Sequence, residues 1–575
     1  MADIIFVTPT FEENISQESV GTLLLASILR DNGLNVKIFP FFRFGDPNDF
    51  EVFLSNTTEA ICNEQPKIVS FYTRCDNYHI ALAISKEIKH HCNAYIVFGG
   101  PQADITATHT LQEIPYVDFI CCGEGENTIV PLFKSLLAKK PDLTTAGLVY
   151  RKGDEIVCNA RPELIQDLDN LPHIDYSLSS VSSEEFLNEY FPIDVGRGCP
   201  FGCTYCSTKT FWGRKYRLKS PSRIAEEIKQ LHEQFGITSF AFEHDMFTMN
   251  RKQVVETCRL LKALDFDIIW KCSARLDCLD YELIDTMVDA GMVRIFIGIE
   301  SGSPRMQKLI NKHLKLDGIV EKITYISNKN IQVVASFIYG FPDETDNDLS
   351  DTLALLAQLA KVENCIYTLN PCTFLPGTEL YNTYADKLTY SETASTIAGS
   401  VAVEACSDLI KQHPKLFPQF QEYNTPQRSK LAYLKHFARI MHILYPVYQY
   451  ILDDDPKMRF MDLYYDFISS NAHILANAPE LSFTEIIQQI IAEHNIIAGK
   501  EEDPYYDILL DYHRITAVQL SHAIGCDNST FAAYCFSPVE IQKRTPIQEI
   551  ERKLTVAAYI RTKDGKLQLK ILKQR

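Results

Sequence analysis

The sequence has no long apolar run and no excess of positive charge. Its 575 residues carry 56 Lys and Arg against 74 Asp and Glu, which gives a formal net charge of −18. This balance argues against a broad nucleic-acid-binding surface, although GRKYRLK from Gly213 could form a local basic patch. No segment approaches the roughly 20 apolar residues of a membrane-spanning helix, and no basic leader precedes the first apolar run. We expect a soluble, cytoplasmic protein without a membrane span or a nucleic-acid partner.

Repeats and low-complexity tracts are also missing. The 17 cysteines do not indicate a disulfide framework in a chain expected to be cytoplasmic. Most are scattered singly, as Cys62, Cys92 and Cys258 are, which is typical of small buried apolar side chains. One group differs, because DVGRGCPFGCTYCSTKT holds three cysteines within one short segment.

The first 150 residues alternate short apolar segments with helical patterns. IIFVTP, NVKIFPF, IVSFYT, AYIVFGG and DFICCGEG predict strands, and three amphipathic stretches between them predict helices. Buried strands joined by helical crossovers predict a Rossmann-like, doubly wound parallel sheet. A hairpin that turns at Lys152-Gly153-Asp154 follows it. Ligands bind at the carboxyl ends of such strands, which is where the Gly99-Gly100 pair and the GEGE segment from Gly123 lie.

A second series of strand and helix patterns runs from residue 191 to 392. Six βα units predict a partial TIM barrel, in which chemistry takes place at the carboxyl ends of the strands. Residues 151–190, rich in Pro, Asp and Ser, predict the end of the hairpin and a linker. From residue 393 amphipathic patterns predict a mainly α-helical domain that ends in a β-hairpin at Asp564-Gly565. The overall prediction is an α/β protein of three domains.

The three cysteines, Cys199, Cys203 and Cys206, follow the first strand of this predicted barrel. A structural zinc site usually has a second Cys or His pair, and this segment has none. A redox CxxC pair would leave Cys199 without a role. Thiolates are the usual ligands of iron–sulfur clusters, and three of them leave one iron of a four-iron cluster free to bind another molecule. We therefore predict that the three cysteines bind a [4Fe-4S] cluster.

The CxxxCxxC spacing after the first barrel strand resembles the radical S-adenosylmethionine (SAM) enzymes. Tyr205 occupies the position at which this family packs the SAM adenine, and GIESGS supplies Glu300 as a polar contact. WKCSARLD resembles the strand that gives SAM a polar group, which makes Ser273 and Arg275 candidates. A core aromatic remains the alternative for Tyr205, and an ion pair in the barrel mouth remains the alternative for Glu300 and Arg275.

The resemblance implies chemistry that is carried by cofactors. SAM would bind the free iron and, after reduction, yield a radical that takes a hydrogen atom from the substrate. A low-potential electron donor such as flavodoxin or ferredoxin is implied as a partner.

The N-terminal domain resembles the cobalamin-binding subclass of this family. Gly99, Gly100, Gly123 and Glu124 lie in the matching GG and GEGE segments, and the loop with Tyr72, Thr73 and Arg74 is expected to approach the lower corrin face. A dinucleotide domain would need G-x-G-x-x-G after the first strand, which reads VTPTFEEN instead. D-x-H-x-x-G is absent too, so we expect no histidine on cobalt. A domain that has kept its fold and lost cobalamin remains an alternative.

The resemblance implies a methyltransferase that acts on an unactivated carbon of a peptide or small-molecule substrate. Ring-forming or rearranging chemistry without methyl transfer is the first alternative, and a redox-sensing iron–sulfur interaction protein is the second. Glu243 and Asp245 alternate with His244 at the end of a strand, so one set is expected to face the barrel mouth. Cys372 is a further candidate substrate contact or a plain buried cysteine.

Overall fold

The computed structural model describes residues 2–391, 401–424 and 459–470, five residues between 431 and 438, and three strands after residue 530. The amphipathic patterns predicted between residues 428 and 452 lie almost entirely outside the described residues. The pattern at residues 482–495 and the turn at Asp564-Gly565 lie wholly outside them. No helix of the described residues is both long and apolar enough to cross a bilayer.

Seven strands form the first sheet, in the order β2-β1-β3-β4-β5-β6-β7. They are β1 Ile4–Thr8, β2 Val36–Pro40, β3 Ile68–Tyr72, β4 Tyr95–Gly99, β5 Phe119–Cys121, β6 Leu148–Lys152 and β7 Glu155–Cys158. The first five are parallel, and the predicted hairpin, β6–β7, pairs with β5 as an antiparallel edge. The Rossmann-like prediction is confirmed, with this edge making the sheet mixed.

Helices cover both faces of this sheet, because side chains along β1 alternate between two cores. Ile4 and Phe6 pack in one core, and Ile5 and Val7 pack in the other. The helices are α1 Val20–Asp31, α2 Phe50–Asn63, α3 Tyr78–His91, α4 Pro101–Glu113 and α5 Ile129–Leu137.

Six parallel strands form the second sheet in strictly sequential order. They are β8 Phe191–Asp194, β11 Ser239–Glu243, β12 Ile269–Ala274, β13 Met292–Glu300, β14 Gln332–Tyr339 and β15 Cys365–Pro371. Between β8 and β11 the short strands β9 Gly196–Arg197 and β10 Arg217–Leu218 pair antiparallel. The partial barrel is confirmed, and the β9–β10 ladder closes the loop that carries the three cysteines.

Most helices of this half pack their apolar stripes on one side of the second sheet, in the largest core of the described residues. They are α7 Pro221–Phe235, α8 Arg251–Leu261, α9 Tyr281–Asp289, α11 Ile319–Ser327 and α12 Asp346–Ala360. Helices α10 Pro304–Leu309 and α13 Glu379–Tyr384 pack instead in a small separate cluster with Phe341 and Phe374, and α6 Thr208–Trp212 lies inside the cysteine segment. The three longest of these helices, α7, α8 and α12, begin at polar caps; Ser220, for example, accepts a hydrogen bond from the Arg223 N–H.

Residues 401–424 turn back to the first sheet. Leu416, Phe417 and Phe420 are fully buried in the core that includes α3 and α4. The short helix α14, Ser407–Gln412, lies in this segment. Farther on, helix Phe460–Ser470 packs beside α12. The predicted terminal hairpin is formed by Arg552–Arg561 and Leu567–Gln574, with Phe531–Phe536 as a third strand.

Candidate functional site

One cavity of about 850 Å³ is lined by residues from both sheets. The first sheet contributes the carboxyl ends of β3, β4 and β5 together with parts of α1 and α5. The second contributes α6 and inward-facing residues of β11, β12 and β13. Both sheets thus turn the strand ends at which α/β proteins bind ligands toward one space.

The predicted cobalamin residues divide into two groups. Tyr72, Gly99, Gly100, Gly123 and Glu124 line the cavity, whereas Thr73 and Arg74 do not.

Thr73 and Arg74 form hydrogen bonds with other residues of the first domain. The Thr73 hydroxyl donates to the Gly99 carbonyl at 2.8 Å and accepts from the Ala103 N–H at 3.0 Å. The Arg74 guanidinium forms two hydrogen bonds with Asp76. These contacts fix the β3 loop from behind, and a role at the lower corrin face stays a prediction for both residues.

Gly100 is required by its backbone. Its φ is +96°, and a Cβ there would stand 2.6 Å from the Thr73 carbonyl oxygen. A side chain would therefore displace the loop between β3 and α3.

A narrow part of the cavity extends between α1 and α5; we call it the tail lobe. Gly21, Thr22 and Leu25 line it from α1, and Ile129 and Phe133 line it from α5. A Cβ at Gly21 would meet no atom closer than 4.0 Å. The lobe is therefore mostly apolar and has room for a side chain at position 21. We propose that it receives the nucleotide tail of a cobalamin.

Glu124 belongs to a buried network of charges, which we call the interdomain network. Its Oε1 accepts from Arg197 at 2.7 Å and from Arg217 at 2.9 Å, and its Oε2 accepts from the Ile165 N–H at 2.6 Å. Arg197 also pairs with Glu126 at 2.6 Å. The side chains of Glu124, Arg197 and Arg217 are 2%, 9% and 6% exposed. Both oxygens of Glu124 therefore bind the protein itself, and its contact with cobalamin stays a prediction.

The cysteine loop lies directly after β9. Cys203 is buried and Cys199 and Cys206 are half-buried, and burial raises the pKa of the Cys199 thiol to about 11. Among the described residues no three side chains converge on a single ion. Each thiolate of a four-iron cluster binds a different iron, so its ligands need not meet at one point. Three thiols without an imidazole fit such a cluster better than a zinc ion.

Gly198 lies at the start of the cysteine loop and has a φ of +81°, a backbone conformation that favours glycine. A Cβ there would overlap the Lys215 carbonyl, so the loop could not close against β10.

Glu300 ends β13 in an uncommon backbone conformation. Its φ is +71°, and the register with β14 shifts between Gly298 and Glu300. Such a bulge re-aims a side chain. Here the buried carboxylate accepts a hydrogen bond from Lys312 Nζ at 2.9 Å. A Cβ at position 298 would overlap that carboxylate, so the glycine of GIE makes the pair possible.

Two other predicted SAM residues lie between this ion pair and the cysteine loop. The Arg275 guanidinium stands 3.9 Å from the ring centroid of Phe201 and donates to the Lys312 carbonyl at 2.8 Å. The Tyr205 ring packs against Phe341 at 5.9 Å, and burial, followed by the charge of Glu300, raises its pKa. Arg275 is thus linked to Glu300 through Lys312, and the charge of Glu300 acts on Tyr205. Ser273 lines the cavity, whereas Tyr205, Arg275 and Glu300 do not. Their contacts with SAM stay predictions.

The polar residues at the end of β11 all face the cavity. The expected alternation does not separate Glu243 and Asp245 from His244, because the strand ends at Glu243. Asp245 accepts from the Thr208 hydroxyl at 3.1 Å. His244 accepts from the Met246 N–H at 2.7 Å, and burial lowers its pKa to about 4. Cys372 is buried in an apolar cluster that Tyr205 contacts, and it does not line the cavity.

The predicted basic patch at GRKYRLK is wrong for two of its cations. Arg217 and Lys219 are buried, because they pair with Glu124 and Glu227. The sequence reasoning also missed Lys312. A lysine twelve residues after GIE carries no local pattern, although a buried glutamate usually requires a cation nearby.

Comparison with known families divides the chain between the first and the second sheet, as the fold does. Residues 16–133 match the B12-binding domain and residues 193–356 match the radical SAM superfamily. An uncharacterized methyltransferase of Pyrococcus horikoshii is 28% identical over 66% of this chain and 82% of its own length. An anaerobic magnesium-protoporphyrin IX monomethyl ester cyclase of Cereibacter sphaeroides is 30% identical over 51% of this chain and 50% of its own length.

A solved structure has the same fold. The cobalamin-dependent SAM radical enzyme OxsB, with aqua-cobalamin and SAM bound, is 16% identical and covers 92% of this chain and 80% of its own, with a TM-score of 0.58.

Proposed function

We propose that this chain, a radical SAM enzyme with a B12-binding domain, is a methyltransferase that acts on an unactivated carbon of a peptide or small molecule. The observation that carries the proposal is the shared cavity. The strand ends of the B12-binding domain and of the barrel line the same 850 Å³ space. A group bound by one domain can therefore reach a substrate held by the other.

The residues of the chain would hold and shield the reacting groups. Cys199, Cys203 and Cys206 would bind the cluster, and the network of Tyr205, Arg275, Glu300 and Lys312 would orient SAM beside it. When bound, the cluster and SAM supply hydrogen-atom abstraction, and cobalamin supplies a transferable methyl group. The walls from two domains would exclude water from the radical step. A low-potential donor such as flavodoxin or ferredoxin would deliver the electrons.

The lower corrin face would have no histidine ligand. Among the described residues that line the cavity, the one imidazole is His244, which belongs to the barrel. The first domain contributes glycines, hydroxyls, apolar side chains, Cys121 and the carboxylates of Glu124 and Glu126. We therefore keep the expectation that no histidine binds cobalt as part of the proposal.

Ring-forming chemistry without methyl transfer is the second candidate. It is favoured by the 30% identity to a protein named as a cyclase. The two candidates differ in whether the methyl group of SAM appears in the product. Isotope-labelled SAM methyl would mark the product of a methyltransferase and leave the product of a cyclase unlabelled.

Corrinoid binding is the first test of the proposal. Gly21→Leu would fill the tail lobe without a backbone clash, since a side chain at that position enters open space. We expect wild type purified without oxygen from cobalamin-fed cells to hold about one corrinoid per chain. Gly21→Leu is expected to lose most of it while keeping its iron, and Gly21→Ala is the matched control. Corrinoid-free wild type with a full cluster would contradict the cobalamin part of the proposal.

The cluster has its own test. Cys203→Ala should abolish the brown iron–sulfur absorption, because it removes the buried ligand of the three. Cys158 is an exposed cysteine at the end of β7 in the first sheet, and Cys158→Ala is expected to keep the absorption. An unchanged spectrum in Cys203→Ala would place the cluster elsewhere.

A further inference from the structure

We propose that Lys271 and Arg294 bind an anionic group of the substrate, either a carboxylate or a phosphoryl or phosphonyl group. This inference deepens the proposed function, because it names the chemical class of molecule that enters the shared cavity. It rests on the position, the missing partners and the mutual repulsion of the two cations.

The two side chains are neighbours on the inner face of the barrel. Lys271 on β12 pairs in register with Arg294 on β13. Adjacent parallel strands are about 4.8 Å apart, so the two side chains start side by side. Both line the cavity, as do Ser273 and Phe296, which stand two residues closer to the strand ends. The cations therefore form a floor beneath the strand ends where the cysteine loop lies.

Neither cation has a carboxylate partner within the described part of the chain. No hydrogen bond or ion pair joins Lys271 or Arg294 to a described residue. Lys271 Nζ lies 4.9 Å from the centroid of the Tyr190 ring, and the carboxylates of Glu243 and Glu189 act on it only at longer range. Buried arginines elsewhere in the site are paired, as Arg197 is with Glu124 and Arg275 with Asp277.

The positive charges of Lys271 and Arg294 also repel each other. Burial first, and the charge of Arg294 next, lower the pKa of Lys271. Like charges directly opposite each other on adjacent strands are destabilising. A half-buried, unpaired pair of cations in a cavity therefore gains free energy when an anion binds between them.

The carboxylates that face the same cavity are placed higher, at the strand ends. Asp194 lies 3.6 Å from Arg197, and Asp245 is bound by Thr208. Glu243 acts on Lys271 at longer range without forming an ion pair. The cavity thus has an acidic rim above a basic floor. A substrate whose anion rests on the floor would direct its remaining carbons up toward Ser207 and Thr208, which directly follow Cys206 and line the cavity.

NMR line broadening with small probes tests this inference. The holoenzyme, with its cluster, cobalamin and SAM, is titrated with trifluoropropionate observed by ¹⁹F and with methylphosphonate observed by ³¹P. Trifluoropropionamide is the neutral probe of equal shape. We expect at least one anion to bind and the amide not to bind, and the ratio of the two anion affinities distinguishes a carboxylate site from a phosphonyl site.

Lys271→Met and Arg294→Met should each weaken anion binding at least tenfold, and the double variant should abolish it. Lys252→Met, an exposed lysine on α8, is the matched control.

Two results would overturn the inference. One is anion binding that persists in the double variant or that the amide reproduces. The other is a loss of SAM affinity in both single variants, which would assign the cations to the SAM carboxylate instead. Corrinoid content is measured on the same samples. Its absence beside normal anion binding would contradict the cobalamin proposal and leave the anion site intact.

Discussion

Glu300 shows how a single residue combines backbone strain with charge. A non-glycine residue at a φ of +71° costs of the order of 1–3 kcal/mol unless its surroundings hold it there. The bulge at the end of β13 and the pair with Lys312 provide that support. The bulge and the ion pair thus keep a buried carboxylate close enough for its charge to act on Tyr205, and we propose that SAM binds there.

Glu300→Gln is expected to weaken SAM binding about tenfold or more, because a hydrogen bond to a charged group contributes ~1.5–3 kcal/mol. Glutamine keeps the shape and removes the charge that balances Lys312. SAM affinity is measured by equilibrium dialysis on protein with a full cluster. Glu321→Gln, on the exposed side of α11, should bind SAM as the wild type does. Equal affinities for the two variants would remove Glu300 from the SAM site.

At this scale the sequence predicted the residues that carry a pattern and missed their partners. The three cysteines follow from spacing alone. The roles of Lys312, Arg197 and Arg217 depend on contacts between distant elements. Glu124 and Arg217, for example, are 93 positions apart in the sequence, and no local motif connects them.

Helix α3 holds a buried histidine, which is uncommon for a helix on the outside of a sheet. His79 is fully buried, its Nε2 stands 2.9 Å from the Val401 carbonyl oxygen, and its ring meets Phe420 edge-on at 5.5 Å. Segment 401–424 therefore covers a helix that would otherwise face solvent. Burial lowers the pKa of His79 to about 4.

This burial predicts a loss of stability in mild acid. The unfolded chain takes up a proton on His79 near pH 6.5 while the folded protein resists it, so stability is full above pH 6.5 and falls as the pH drops toward 4. Between pH 7 and 5 the loss due to His79 is about 2 kcal/mol. His79→Gln, which can still donate to Val401, should lack that part of the loss in urea unfolding. His90→Gln, exposed on the same helix, should retain it, and equal pH profiles for the two variants would contradict this account.

The strands were predictable because continuous apolar segments are read directly as buried strands. Helices α2 and α4 have no counterpart among the sequence predictions. In α4 the buried positions include Thr106 and Thr110, whose hydroxyls hydrogen-bond within the buried helix. Buried threonine weakens the apolar periodicity by which a helix is recognised.

At the scale of the whole molecule, the interdomain network joins the first domain to the barrel. Removing one member of a buried ion pair leaves the others without compensation and typically costs ~3–5 kcal/mol. Glu124→Gln should therefore lower the free energy of unfolding by about 3 kcal/mol and separate the unfolding of the two sheets into two transitions. Urea unfolding followed by circular dichroism and by the cluster absorption checks both. Glu233→Gln, which breaks an exposed pair with Lys229, should change stability by less than about 0.5 kcal/mol. A single transition and an unchanged midpoint in Glu124→Gln would contradict a coupling role.

The overall architecture was predictable because two βα series and one cysteine motif divide the chain clearly. The relation between the halves was not, since it depends on contacts across the cavity and on a segment that returns over the first sheet. Residues 401–424 were assigned to a separate C-terminal domain by composition. The structure places the described part of that segment in the core of the first domain.

This return has a consequence for biosynthesis. The first sheet is complete at Cys158, yet the apolar surface of α3 and α4 is covered only once Phe417 and Phe420 have been made. At 5–20 residues per second the ribosome needs on the order of tens of seconds to reach them. During that interval the apolar surface of α3 and α4 on the nascent N-terminal domain is exposed to solvent.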